Sequence, residues 1–377
     1  MKFNNIIILK KLTIIFLIII LTCSFSGIGS EDTNNYYNIG NYNSSIIIGP
    51  YPQKTELNST IIVWETSIST TNNCVRYGLN PYCEHIVYQN YSSSFHTVKL
   101  GELNSSTKYY YKVYSDDIES MVYSFYTKFK KEDSIKFVAY GDTRGVWDNW
   151  INASRISDGI EEEQPFLVLH TGDLVKNGTY FDQWLDFFAI SEFIHNSTMY
   201  PTLGNHEYYS EPYFKFFLLL NKNPWYSFDN GPVHFVCLDS NVRNSLRLSQ
   251  IFWLIKDLKQ NTNTYTIVFF HHPPYSSGNH GSTIYLRLIW GLIFEHFDVD
   301  IVFNGHDHSY ERGKVKNVTY VVTGGGGAPL YDIGHKWWTI YSEKTFHYCL
   351  LSCNMTKLSF KAIKPNGTVF DAFEIQK

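Results

Sequence analysis

Short apolar runs that stop on Gly-Asp or on paired histidines constrain this chain more than any other feature. Ile135 to Tyr140 leads into Gly141-Asp142, Phe166 to His170 into Thr171-Gly172-Asp173, and Thr266 to Phe270 into His271-His272-Pro273-Pro274. Runs of this length without polar alternation read as strands buried on both faces, the kind that parallel sheets contain. Between them lie helical patterns at Trp147 to Glu163, Tyr180 to Ile194, Glu211 to Leu220, Ser249 to Lys259 and Thr283 to Phe297. Strands alternating with helices predict a layered α/β domain, here residues 135–377.

The preceding stretch, 46–128, has a different grammar. Short β-rich runs at Ile61 to Glu65, Cys74 to Tyr77, His85 to Gln89, Phe95 to Leu100, Lys108 to Ser115 and Met121 to Thr127 are separated by polar turns, which predicts a small β-sandwich. Residues 129–134 are mostly polar and read as a linker. The tail returns to β at Thr319 to Thr323, Phe346 to Cys353, Lys357 to Ile363 and Thr368 to Ile375, with turns at Asn354 and at Pro365-Asn366-Gly367. No internal repeat is present.

A length of 377 residues leaves room for one large and one smaller domain. A formal charge of -4 argues against general nucleic-acid binding, which needs a basic surface. The N-terminus has the layout of an export signal over 1–29, followed by an exported segment, 30–45. Lys2, Lys10 and Lys11 precede the apolar stretch Leu12 to Thr22, and small residues follow at Ser24, Ser26 and Gly27. That stretch is shorter than the roughly 20 residues of a membrane span. An uncleaved anchor and lipid attachment at Cys23 are the alternatives, so membrane contact is expected only if the segment is retained. The expected location is secreted or cell-surface. Sequons at Asn43, Asn58, Asn90, Asn104, Asn152, Asn177, Asn196, Asn317, Asn354 and Asn366 permit glycosylation of an exported chain. Cys74 and Cys83 flank a turn and could bridge a hairpin. Cys349 and Cys353, on one strand, would lie about 13 Å apart and cannot pair. Cys237 reads as core.

Five blocks follow in order: GDTRG from Gly141, GDLV from Gly172, GNHE from Gly204, HHPPY from His271 and GHDHSYER from Gly305. Each joins Asp, Asn or His to glycine or proline. Asp142 and Asp173 end strands about 30 residues apart, one βαβ crossover, so both carboxylates come to one sheet edge. Two carboxylates there repel unless a cation lies between them. Asn205, His271, His306 and His308 add the uncharged oxygen and imidazoles that suit iron, zinc or manganese better than calcium. His306 and His308 can share a site only if the backbone turns near Asp307 or if residues i and i+2 face the same way.

On these motifs the chain resembles the calcineurin-like metallophosphoesterases, with the match running from Ile135 to Glu311, and its two-part layout is similar to the purple acid phosphatases. The resemblance implies a fibronectin III-like sandwich followed by a four-layer αββα domain. It implies that Asp173 bridges two divalent or trivalent transition metal ions, that Asp142 and His308 complete the first position, and that Asn205, His271 and His306 complete the second. His206 and His280 fall where the family places histidines facing substrate, and Tyr320 to Leu330 resembles the segment after its last metal block. Two positions depart from the pattern. The purple enzymes have tyrosine where Lys176 stands, and relatives without it have histidine where Arg144 stands. The first position therefore lacks a ligand that both branches possess, and no tyrosinate-to-iron colour is expected. Arg144 either clamps a phosphate oxygen with its guanidinium fork or forms a structural salt bridge.

These readings predict an exported phosphatase of the acid phosphatase type acting on small phosphate monoesters, with His206 and His280 supplying protons or hydrogen bonds to the leaving alkoxide. The rivals are a phosphodiesterase or nucleotide-cleaving enzyme on the same centre, and a cell-surface metal-binding protein with impaired catalysis. The missing first-position ligand favours the last; the intact Asn205, His206 and final histidine pair argue against it. Phe187, Phe188, Phe193, Phe214, Phe216 and Phe217 read as core or domain-interface packing, and His234, His296 and His347 as packing histidines.

Overall fold

The computed structural model describes residues 45–218 and 223–377, so the signal segment, Cys23 and the sequon at Asn43 lie outside the described residues. Strands β1 (Ile46–Gln53), β2 (Thr60–Thr70), β3 (Asn73–Gly78), β4 (His85–Gln89), β5 (Ser93–Leu100), β6 (Lys108–Ser115), β7 (Ile118–Glu119) and β8 (Tyr123–Tyr126) build the expected sandwich. Its sheets run β1-β2-β5 and β4-β3-β6-β7, with β8 also on β6. Ile62, Trp64, Val75, Val98, Tyr109, Val113 and Phe125 fill the space between them. Cys74 and Cys83 are buried free thiols, which corrects the bridged hairpin. In the β3–β4 register Cys74 lies opposite Tyr88, so Cys83 sits in the turn and is not its cross-strand partner.

The larger part contains two mixed sheets. One joins β9 (Ile135–Tyr140), β10 (Leu167–His170) and β11 (Thr198–Pro201) in parallel and continues through antiparallel β19 (Tyr348–Cys353), β20 (Lys357–Ile363) and β21 (Val369–Gln376). The other has the order β12-β13-β14-β15-β17-β16-β18, made of β12 (Tyr226–Asn230), β13 (Val233–Cys237), β14 (Tyr265–Phe269), β15 (Ile301–Asn304), β16 (Tyr310–Val315), β17 (Val318–Thr323) and β18 (Thr339–Glu343). There β13, β14, β15 and β17 are parallel. The inner faces meet where Phe137 packs edge-on against Phe235 at 5.2 Å. Strand alternation then turns His170, Tyr348 and His234 outward. His170 meets Phe187 of helix Phe181–Ile190, Tyr348 lies against Gly159 of helix Ile151–Glu163, and His234 reaches Asp257 of helix Leu248–Gln260. Helices thus cover both outer faces, giving the four-layer αββα arrangement.

Several expected helices are shorter. The first begins at Ile151 because Trp150 has a left-handed backbone (φ 64°), and the 180–194 pattern breaks at Ser191. The phenylalanine cluster joins the two parts: Tyr51 of β1 stacks on Phe188 at 5.3 Å and donates its hydroxyl to the Phe216 carbonyl at 2.8 Å. Phe214 is the exception, partly exposed on the surface. The expected linker is fastened at Phe129, which stacks on Phe166 at 4.5 Å.

His234 is more than packing. Its ring lies between Asp229 at 2.7 Å and Asp257 at 2.9 Å. Burial opposes its charge, but the hydrogen bonds to the two carboxylates win and raise its pKa to about 9. A raised histidine pKa adds stability that is complete below the unfolded value, near 6.5, and is lost as pH rises through the folded one. Because Asp229 is largely exposed, we expect a modest loss, about 1 kcal/mol, between pH 7 and about pH 10. Urea melts across that range should show the decline, and His234→Gln should flatten it.

Candidate metal centre

Every parallel strand but β13 and β17 delivers a predicted ligand at its C-terminal end. Asp142 follows β9, Asp173 follows β10, Asn205 and His206 follow β11, His271 follows β14, and His306 and His308 follow β15. The two sheets share this edge, the usual place for a site in an α/β fold. The chain turns sharply to aim the side chains: Asp142 (φ 59°), Asp173 (φ 58°) and His306 (φ 71°) all have left-handed backbones. Aspartate and histidine tolerate that region better than most residues. The turn at His306 is what lets His306 and His308 share one site. Gly204 and Gly305 admit the carboxylates of Asp173 and Asp142, where any β-carbon would collide with them.

Hydrogen bonds set the tautomers. His271 donates its Nδ1–H to the Thr171 carbonyl at 2.9 Å, and His308 donates its own to the Pro329 carbonyl at 2.7 Å. Each ring therefore presents an Nε2 lone pair to the site, the arrangement that outer partners impose on metal-binding histidines. The His271 lone pair faces the Asn205 Oδ1 at 3.1 Å and the Asp173 Oδ2 at 3.5 Å. These three acceptors thus converge, with the His306 Nδ1 also 3.3 Å from the His271 Nε2. Asp142 accepts from the His306 backbone N–H at 2.9 Å through Oδ2, while its buried Oδ1 has no hydrogen-bond partner. Ligand atoms of Asp142, Asp173 and His271 lie within 4.8 Å of one another, and so do those of His271, His272 and His306. Burial, reinforced by neighbouring histidines, holds the pKa of His271 well below its ordinary value and that of His306 down to about 3. Burial also raises Asp142 to about 6, against the pull of His308. Neutral imidazoles with buried carboxylates are the protonation states of a transition-metal donor set, and this set fits one.

The remaining predicted residues surround these ligands. His206 donates Nδ1–H to the Lys176 carbonyl at 2.6 Å, leaving its Nε2 3.9 Å from the Asp173 Oδ2. The His280 ring lies 4.3 Å from that of His306, and its backbone N–H donates to Asp307 at 2.7 Å, so this loop histidine is held at the site. Arg144 is buried, with Nε 3.5 Å from the Asp173 Oδ2 and Nη2 against the His308 Nε2. Lys176, in the tyrosine position, is exposed and sets its ammonium 4.8 Å from the centre of the Trp147 ring.

Three supporting residues were given no role by the sequence reading, which noted His272 only as the neighbour of His271. The buried Glu207 carboxylate accepts backbone N–H bonds from Asp173 (3.0 Å), Leu174 (2.8 Å) and Gly204 (2.6 Å), so it ties two ligand loops together. Burial and the Asp173 charge push it up to about 8. Asp307 accepts from the Ser276 hydroxyl at 2.5 Å as well as from His280. The His272 ring lies tilted 4.6 Å from that of His306 and bonds the Ser240 hydroxyl at 2.9 Å. Each sits inside a motif block, which was the only available signal.

Residues 135–310 match the family model for calcineurin-like phosphoesterases. Among curated proteins, the chain is 27% identical over 321 residues to a phosphoenolpyruvate phosphatase of Allium cepa, covering 73% of this chain and 64% of that one. It is 27% identical over 327 residues to the Fe(3+)-Zn(2+) purple acid phosphatase 12 of Arabidopsis thaliana, covering 74% and 67%. The chain thus spans about two thirds of the length of these relatives. Among solved structures, the purple acid phosphatase from yellow lupin (Lupinus luteus) seeds superposes with a TM-score of 0.76 at 20% identity, covering 87% of this chain and 74% of that one. That likeness shows a shared fold.

Proposed function

We propose, from the match of residues 135–310 to the calcineurin-like phosphoesterases, that the chain is a two-metal phosphatase acting on small phosphate monoesters. The convergence of lone pairs from His271, Asn205 and Asp173 at 3.1–3.5 Å carries the reading, because a cation is what makes such a cluster favourable. Asp173 would face both ions, with Asp142 and His308 on one side and Asn205, His271 and His306 on the other. Iron, zinc or manganese would supply Lewis-acid polarisation of the phosphate and a water of lowered pKa. Asp173 and Asp142 set the charge of the site, His271 and His308 are held in fixed tautomers, and Glu207 keeps the loops in register. Arg144 is a candidate contact for a phosphate oxygen.

His206, beside Asp173, and His280, beside His306, are the candidate proton donors to the leaving oxygen. His206→Ala and His280→Ala should each lower kcat on a chromogenic monoester by about 10²-fold or more, the usual scale for a positioned acid. Metal content should stay unchanged. Loss of metal in either variant would make that histidine a ligand.

Elemental analysis of the purified protein, paired with chromogenic mono- and diester assays, tests the reading as a whole. Two equivalents of transition metal with monoester turnover supports it. Preferred diester cleavage would make the chain a phosphodiesterase, and a metal-loaded protein inert on both ester types would leave a binding role. We further propose export and glycosylation, on the strength of the N-terminal pattern and the sequons. Asn196 is a poor acceptor among them, since its amide is held by the Ser124 backbone at 3.0 Å and by Glu161 at 3.2 Å.

A further inference from the structure

We propose that Arg144 is a resident cation of the first metal position, so that its guanidinium and the first ion compete for the same donors. The inference rests on the reading of these residues as metal ligands. A guanidinium is charged at every attainable pH and carries donors only. Here it lies between groups that would serve an ion. Its Nε is 3.5 Å from the Asp173 Oδ2, and its Nη2–H donates to the His308 Nε2. Because His308 has committed Nδ1–H to Pro329, Nε2 holds the ring's one available lone pair. An ion at His308 therefore needs the atom that Arg144 occupies. The second set, Asn205, His271 and His306, makes no such bond to arginine.

The hold of Arg144 is incomplete. Its Nε–H is buried with no hydrogen-bond partner, so the contact with Asp173 is not a paired fork. Its backbone is in a sparsely populated left-handed region, with φ of 21°. The Trp147 ring, about half exposed, lies 5.5 Å from its guanidinium carbon. A cation held by charge, strained and missing one bond, is displaceable. The two positions should therefore differ in affinity even though they share Asp173. The second fills tightly, and the first fills only as Arg144 gives way. Lys176 is exposed and sets its ammonium 4.8 Å from the centre of the same Trp147 ring.

Calorimetric titration of the metal-free full chain with Zn²⁺ or Mn²⁺, with elemental analysis after dialysis, measures this directly. The wild type should bind one ion tightly and a second at least tenfold more weakly. Arg144→Ala should tighten only the weaker ion, by roughly 10- to 100-fold, the range by which partners of a metal ligand alter its affinity. The unchanged tight ion reports that the variant is folded. Arg144→His carries the same expectation with a side chain retained, should the alanine variant fail to fold, and Arg144→Lys, which keeps a cation, should stay near wild type. Two equally tight ions in the wild type, or a weaker ion unaffected or further weakened in Arg144→Ala and Arg144→His, overturns the competition. No binding at either position would overturn the metal reading beneath it.

Discussion

Asp173→Asn should abolish the proposed phosphatase activity and remove both proposed ion sites while leaving the protein folded. The Asp173 Oδ2 meets both sides of the site, 3.5 Å from the Arg144 Nε and 3.5 Å from the His271 Nε2. Losing an outer partner of a metal ligand typically costs 10–100-fold, so losing a shared ligand should cost about 10³-fold or more. Two opposing effects act on stability. Arg144 loses the carboxylate beside it, which is costly for a buried cation. Asp142 and Glu207 lose a nearby like charge that raises both their pKa values, which is favourable. Asparagine also retains an oxygen for the His206 backbone N–H, now 3.0 Å from the Asp173 Oδ1. We expect these to balance, leaving the melting temperature of the metal-free protein within about 4 °C of wild type. His271→Ala provides the contrast, removing one ion instead of two. Calorimetric titration of the two metal-free variants to saturation decides the point: loss of the same number of ion sites in both would remove Asp173 from the bridging role.

The candidate ligands could be picked out because each is a local statement, a metal-binding residue type beside a glycine or proline at the end of an apolar run. What orients them was not, because the partners come from distant segments. Nothing near His271 in sequence announces the Thr171 carbonyl, and nothing near His308 announces that of Pro329. His234 read as packing because its two carboxylates arrive from across a hairpin and from a helix. β1 was missed as a strand because two prolines interrupt it, tolerable at the edge it occupies in its sheet. Cys74 and Cys83 misled for the opposite reason, since nearness along the chain is not register. Arg144 was legible as a departure from the family pattern, but its contact with His308 depends on the His308 tautomer, which only the fold fixes.

Glu207 shows how much a site can depend on a residue that touches no substrate, and Glu207→Ala should be the most destabilising single change at this edge. The side chain is fully buried, and its carboxylate takes three backbone N–H bonds, two from the loop after β10 and one from the loop after β11. Alanine leaves those donors without an acceptor. Each unsatisfied buried N–H costs about 1–3 kcal/mol, and removing the repulsion between Glu207 and Asp173 returns part of that, so the net loss should be about 3–5 kcal/mol. Glu207→Gln should fall between alanine and wild type. Its one oxygen can serve Asp173 and Gly204, but its NH₂ group then faces the Leu174 N–H where an acceptor is needed. Denaturant melts should therefore rank wild type, glutamine and alanine in that order, and metal affinity should follow the same order because both loops carry ligands. A purely structural salt-free anchor would change stability and leave metal affinity alone. If glutamine matched wild type in both measurements, the second carboxylate oxygen would be dispensable, and the loops would have to be held together by the ligands themselves.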